Sequence, residues 1–351
     1  MNAPLSENTQ AVLLLTAPLI VGRQAGDQPD LLTPGEYNRL ARALREKQRQ
    51  PADLLGPGPD VQALLEDCRH IIAPERATAL LARGFSLGQA ADHWQTRSIW
   101  VASRADPHYP RRLKSKLLEN APVIIYGCGD ATLLNNGGLA IVGSRNAGDT
   151  VLARAENAGR LAAAAGIGLV SGGARGVDQA AMRGAFQGGG NVLGVLADSL
   201  GQAALSRENR DAIRENRAVL ISAQDPAAGF NVGNAMQRNK YIYALADAAL
   251  VVNSDYQKGG TWAGAIEQLE KYHFAPVFVH ARARADNGVD EETPASQGNT
   301  ALLKRGAREW PDPQNAEMLA ALLDTTAAEH AAEQKKNQQQ QQQDSLPLSF
   351  G

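Results

Sequence analysis

The chain has little cysteine, few aromatic residues and almost no charge imbalance. Its two cysteines, Cys68 and Cys128, lie far apart in 351 residues, and neither has a second ligand pair nearby. That argues against a disulfide framework and a zinc site, and a reducing, cytoplasmic compartment is expected. The formal net charge is −2, so the chain as a whole does not advertise a polyanionic partner. A site for such a partner must be a local cluster of cations. The most apolar stretch near the start, "AVLLLTAPLIVG" (Ala11 to Gly22), follows no positive segment, is interrupted by Pro18 and is too short to cross a bilayer. It reads as a buried helix or strand. Walker A, H-E-x-x-H and G-x-S-x-G are all missing, and six histidines are scattered without a ligand pattern. No catalytic constellation, cofactor site or metal set is read from the chain.

What is present begins with short helices. "LTPGEYNRLARALRE" has Thr33 as N-cap, Pro34 at the first helical position and Glu36 in the capping-box position, with Tyr37, Leu40 and Leu44 on one face. "LGPGPD" (Leu55 to Asp60) is a breaker, and further helical stretches follow up to Trp94. Residues 1–97 are therefore expected to form a small helical domain. The segment from Ser98 to Asp130 reads as a bridge of two apolar runs around a basic helix, with Arg104, Arg111, Arg112, Lys114 and Lys116. From Gly138 the pattern is regular. Short apolar runs at 139–143, 167–172, 192–197, 218–222, 248–253 and 276–280 alternate with helical stretches at 150–165, 178–187, 207–216, 236–246 and 261–272. Continuous apolar strands alternating with helices predict an α/β fold with a doubly wound parallel sheet, assigned to residues 98–310. A polar loop is expected at 284–299, an alanine-rich helix within 311–336, and a disordered glutamine-rich tail at 337–351.

Ligands of such sheets bind outside the carboxyl ends of the strands, which decides where to look. The first long run ends in Gly143-Ser144-Arg145, without the G-x-G-x-x-G fingerprint of a dinucleotide fold. The second ends in "SGGARGVD", carrying Ser171, Gly172, Gly173, Arg175 and Asp178. Asp178 is expected to serve its own turn as an N-cap rather than as a catalytic acid. Beyond the third lie Arg207, Asn209 and Arg210; ahead of the fifth lie Arg238, Asn239 and Lys240; after it come Lys258, Gly259, Gly260 and Thr261. Glycine-rich turns at helix starts aim amide N–H groups at an anion, and arginine grips phosphate bidentately. Several cations around such turns suit a chain of phosphates better than one pyrophosphate. Of the nearby aromatics, Tyr241, Tyr243, Tyr256 and Trp262 are either base-stacking platforms or core. Glu267 is the one carboxylate expected to project toward the site from a helix start.

In this order, "AIVGSR", "LVSGGARGVDQAAMRGA", "SRENRDAI", "QRNKYIYALADAALVVN", "GGTWAGAIEQ" and "QGNTALLKRGA" resemble the DprA/Smf DNA-processing family, from about Tyr109 to Ala307. The helical start resembles the SAM-like domain that precedes the core in that family. The resemblance implies a Rossmann-like protein that is not an enzyme, binds single-stranded DNA, forms a homodimer and helps load RecA in recombination or natural transformation. It places the family's pocket arginine on Arg145, its "ARG" on Arg175, its basic residue before "EN" on Arg207, and its "RNR" on Arg238, Asn239 and Lys240. Departures are Met182 for a histidine, Ala197 to Ser199 for "GTG", Leu205-Ser206 for Tyr-Pro, and "KGG" for "SGS". No winged helix is apparent after the core.

Two further readings come from short segments. "QDSLPL" followed by Phe350 (Gln343, Ser345, Leu346, Leu348, Phe350) resembles the motif with which bacterial proteins dock on the replicative sliding clamp. "GGT" followed by Glu267 resembles, with its proline missing and its glutamate misplaced, a motif of nucleoside-monophosphate phosphoribohydrolases. That supplies the alternative of a small-nucleotide sensor or enzyme. A pure interaction scaffold is the third reading.

Overall fold

A computed structural model of the chain describes residues 4–20, 29–56, 58–280 and 294–344, with side chains except at 294–296 and 337–344. The elements, in chain order, begin with helices α1 (Glu7–Thr16), α2 (Pro34–Glu46), α3 (Pro59–Asp67), α4 (Pro74–Leu81) and α5 (Gly84–Gln95). Next come β1 (Ile99–Ser103), α6 (Arg111–Leu117) and β2 (Ile124–Gly129). The alternating part is β3 (Leu139–Val142), α7 (Asp149–Ala164), β4 (Leu169–Ser171), α8 (Val177–Gln187), β5 (Val192–Leu196), α9 (Leu200–Ala203), α10 (Arg207–Arg214), β6 (Ala218–Ser222), α11 (Val232–Leu245), β7 (Ala248–Val251) and α12 (Gly259–Glu267). It closes with β8 (Val277–Val279), α13 (Pro294–Leu303), β9 (Arg308–Glu309) and α14 (Ala316–Asp344). The chain divides into two compact units, Met1–Asn136 with Leu193–Tyr241, and Gly137–Val192 with Ile242–Gly351.

In the first unit the strands run in the order β1-β2-β6-β5. β1 is antiparallel to β2, and β2 to β6, so the two apolar runs of the bridge segment add antiparallel strands to the sheet. The reason is local: the strands on either side of the basic helix reverse direction through it, instead of crossing over as a βαβ unit does. α1 buries Val12 to Leu15, and its carboxyl end is closed by the buried Arg83 guanidinium, which donates to the carbonyls of Leu14 and Ala17. α2 starts with the expected capping box: Thr33 and Glu36 bond each other's backbone N–H, and Tyr37, Leu40 and Leu44 are buried. Arg76 donates to Glu36 at 2.8 Å.

In the second unit the order is β4-β3-β7-β8-β9, and each neighbouring pair is parallel. β3 and β7 are buried along their whole length, which explains their uninterrupted apolar sequences. Each fully buried leucine, isoleucine or valine contributes about 1.5–3 kcal/mol. α7 and α8 meet through small residues, Ala155, Ala158, Gly159 and Ala162 on one and Ala181, Gly184 and Ala185 on the other, so their backbones approach closely.

Two expectations are corrected here. The supposed loop at 284–299 is helix from Pro294, and its buried Asn299 donates to the carbonyls of Val252 and His280, both at 3.1 Å, beyond the ends of β7 and β8. Residues 284–293 lie outside the described residues. The glutamine tract continues α14 to Asp344 rather than leaving helix near 335. Alanine, glutamate, glutamine and lysine are all good helix formers, so a helix already nucleated propagates through them. Gln343 is in its last turn; Ser345, Leu346, Leu348 and Phe350 lie outside the described residues.

Candidate nucleic-acid interface

The second unit carries a cradle at the carboxyl ends of three neighbouring parallel strands, β4, β3 and β7. Its centre is Gly143-Ser144. The Ser144 N–H donates to the Asn253 side-chain oxygen at 3.0 Å, and the Thr261 hydroxyl donates to the Gly143 carbonyl at 2.9 Å. The Val177 N–H reaches the Ser144 carbonyl at 3.3 Å, tying the turn after β4 to the turn after β3. Glycine is required at the crossing. A Cβ on Gly143 would stand 2.7 Å from both Val177 methyls, and one on Gly176, where φ is +92°, would stand 2.5 Å from the Ser144 carbonyl oxygen. The three loops are thus locked to one another by hydrogen bonds onto the Gly143-Ser144 backbone.

From this frame Arg145, Arg175, Lys258, Gly259 and Gly260 stand exposed to solvent, with Gly173 half-buried. Gly173 and Gly259 both have positive φ, and Gly259 opens α12, whose first N–H groups lack partners within the helix.

Not every expected ligand is available. Ser171 is fully buried and spends its hydroxyl on the Ile141 carbonyl at 2.7 Å. The Gly172 N–H is taken by the Asp178 carboxylate at 3.1 Å. Both residues build the loop rather than face a ligand. Asp178 itself is not the N-cap, which is Gly176; it lies one residue into α8, buried, and acts as a staple across the loop. Glu267 is the last residue of α12, not near its start. At 1.5 Å rise per residue that puts it about 12 Å along the helix from Gly259, away from the rim. Tyr243 and Trp262 are core; burial, with the Asp178 carboxylate adding to it, pushes the Tyr243 hydroxyl up. Tyr256, 44% exposed, packs edge-on against Trp262.

The first unit has its own cationic region. Arg207, the first residue of α10, is exposed, as is Arg210. The Asn209 side-chain amide donates to the Ala203 carbonyl at 3.0 Å, holding the loop that leads into the helix. On α11, Asn239 and Lys240 are partly exposed, whereas Arg238 is 7% exposed and so is a poor candidate for phosphate contact. Lys240 Nζ sits 5.4 Å from the ring centroid of the buried Tyr241. The sequence reading missed three apolar side chains here: Leu205, Phe230 (55% exposed) and Val232 (68% exposed). Their loops run side by side, since Ser199 and Gly201 donate to the carbonyls of Ala228 and Pro226, both at 3.2 Å. The available signal was apolar residues inside the glycine- and asparagine-rich "AAGFNVGN" segment, where no core face demands them.

The model of the DNA recombination-mediator protein A family matches residues 100–321, well over half of the chain. The chain belongs to that family. Family membership makes it a DNA-processing protein of the recombination-mediator type. Among solved structures, DNA processing protein A (DprA) from Streptococcus pneumoniae is 18% identical, covers 92% of this chain and 98% of its own, and superposes with a TM-score of 0.64, so the fold is shared. DprA from Helicobacter pylori, solved for its single-stranded DNA binding mode, is 24% identical over 64% of this chain and 96% of its own, with a TM-score of 0.49. No curated protein matches the chain. Among the described residues no helix is long and apolar enough to cross a membrane, and no three His, Cys, Asp or Glu side chains are grouped to hold a metal.

Proposed function

We propose that this family member grips single-stranded DNA by its sugar-phosphate backbone, using Arg145, Arg175, Lys258 and the Gly173 and Gly259-Gly260 turns of the second unit, and Arg207, Asn239 and Lys240 of the first. The observation that carries this reading is the locked cradle of β4, β3 and β7, on which Arg145, Arg175 and Lys258 stand exposed beside the glycine-led start of α12. Phosphate contacts of this kind give salt-sensitive, weakly sequence-selective binding. Exposed Phe230, Val232 and Leu205 supply surfaces for unstacked bases, which duplex DNA does not offer. The same proposal takes the chain as a DNA binder rather than an enzyme: of the carboxylates weighed from the sequence, Asp178 is engaged in structure and Glu267 is displaced along α12.

Family membership also supports a homodimer that hands DNA to a RecA-type recombinase in the cytoplasm, residues 1–97 serving as a helical module beside the α/β core. The sequence of Gln343, Ser345, Leu346, Leu348 and Phe350 supports sliding-clamp docking. The test of the main reading is titration of a labelled oligonucleotide with wild type, Arg145→Glu and Arg207→Glu. Loss of binding by at least tenfold in each variant is expected, with melting temperatures unchanged. Wild-type affinity in both variants at low salt would exclude this site.

A further inference from the structure

We propose that the groove between α5 and β1 in the first unit receives residues 345–350 of a second copy of this chain, so that two copies exchange their tails.

The groove is built by the first unit alone. It has a volume of about 790 Å³ and is walled by Leu14 of α1, Leu55, Leu87 and Trp94 of α5, and Trp100 and Val101 of β1; among the described residues no charged side chain lines it. The α5 wall is low because its residues are small. Gly84, Gly88 and Ala91 recur on one helical face, and a Cβ built on Gly84 or Gly88 would meet nothing within 4 Å. The other wall is a sheet edge, since β1 is the first strand in the sheet order. The Arg104 N–H bonds the Val123 carbonyl at 3.1 Å, and antiparallel alternation then turns the Val101 N–H and carbonyl away from β2. An apolar trough beside an edge strand takes an extended segment whose alternate side chains enter it.

The chain itself holds such a segment. Leu346, Leu348 and Phe350 stand at every second position, so in an extended conformation they share one face, and the five residues match the five of β1. With Leu346 and Leu348 bonding toward β1, Pro347, which lacks an N–H, falls on the side where no donor is needed. Residues 345–351 carry no charged side chain, in keeping with the groove. The other segments outside the described residues hold at most one large apolar side chain each, Met1, Val21 or Val289. Presentation favours a second copy. Past Thr326 the described side chains of α14 are exposed apart from half-buried His330, and the helix runs on to Asp344, about 27 Å further at 1.5 Å per residue. The same three apolar side chains carry the clamp-docking reading, so groove and clamp compete for one tail.

The experiment measures association of full-length chains by sedimentation across concentration. Gly88→Leu fills the groove and keeps the tail; leucine is the better helix former, so the fold is not weakened. Leu346→Ser/Leu348→Ser keeps the groove and spoils the tail. Each variant is expected to self-associate about tenfold more weakly than wild type, and the two mixed to associate about threefold more tightly than either alone, because one groove and one tail are then intact. Equal association in all pairings, or no gain on mixing, overturns the proposal. Weakening by Gly88→Leu with no effect of the tail variant also overturns it, and makes the same α5 face of a second copy, with Phe85 80% exposed, the occupant. Circular dichroism melts keep folding out of the comparison.

Discussion

Around Gly143 the second unit crosses its loops so tightly that glycine is required, whereas the first unit sets Arg207, Arg210, Leu205, Phe230 and Val232 exposed on loops and helix starts. In one, cations stand on a frame whose every turn is fixed by another turn. In the other, the loops are also bonded to each other, but exposed cations and exposed apolar side chains stand on them together. The difference separates two jobs that a single-strand binder must do. A rigid frame fixes where phosphates sit at little entropic cost on binding, and exposed side chains adapt to whatever bases arrive.

The contrast can be broken experimentally. Its largest test is Gly176→Val. A side chain there combines positive φ with a carbonyl 2.5 Å away, so a loss of about 3 kcal/mol of stability is expected in denaturant melts; an unchanged midpoint would mean the frame is not rigid. Arg145→Glu should cost about 2 kcal/mol of binding, seen by anisotropy, at constant stability. Asn253→Ala removes the acceptor of the Ser144 N–H and should lower stability by about 1–2 kcal/mol while also weakening DNA binding. Phe230→Ser belongs to the adaptable side. It should reduce single-strand affinity by about 1 kcal/mol, leave duplex affinity alone and leave the melt unchanged.

The smallest effect lies outside both rims. The Arg76 guanidinium, together with the Thr33 N–H and hydroxyl and against a small opposing effect of burial, lowers the Glu36 carboxyl from 4.5 to about 2. A depressed folded-state value stabilises above the unfolded value, and the contribution disappears as pH falls from about 4.5 through about 2. Glu36→Gln should flatten this part of the pH–stability curve by about 1 kcal/mol, the size of a partly exposed pair.

Much of this was legible in the sequence. The alternation of apolar runs and helical stretches located β3 to β8, and the Thr33 to Glu36 spacing gave the capping box, because period and capping are local properties. The strand-end rule put Arg145, Arg175 and Lys258 on one rim for the same reason. What escaped was set by tertiary partners. Ser171 looked like a ligand and is a buried link, since nothing local reveals that the Ile141 carbonyl needs a donor. Asp178 looked like a cap and reaches back across the loop. Arg238 looked exposed because its neighbours are polar, yet α11 turns it inward. The antiparallel pairing of β2 with β6 joins segments about 90 residues apart, a separation that no short-range pattern encodes.

The most direct measurement of the central claim is the salt dependence of single-strand binding by wild type and by the Arg145→Gln/Arg175→Gln pair. The account predicts that removing these two guanidinium groups lowers the log–log slope by about 1.4, as two phosphate contacts should. An identical slope in the two proteins would show that the phosphates lie elsewhere.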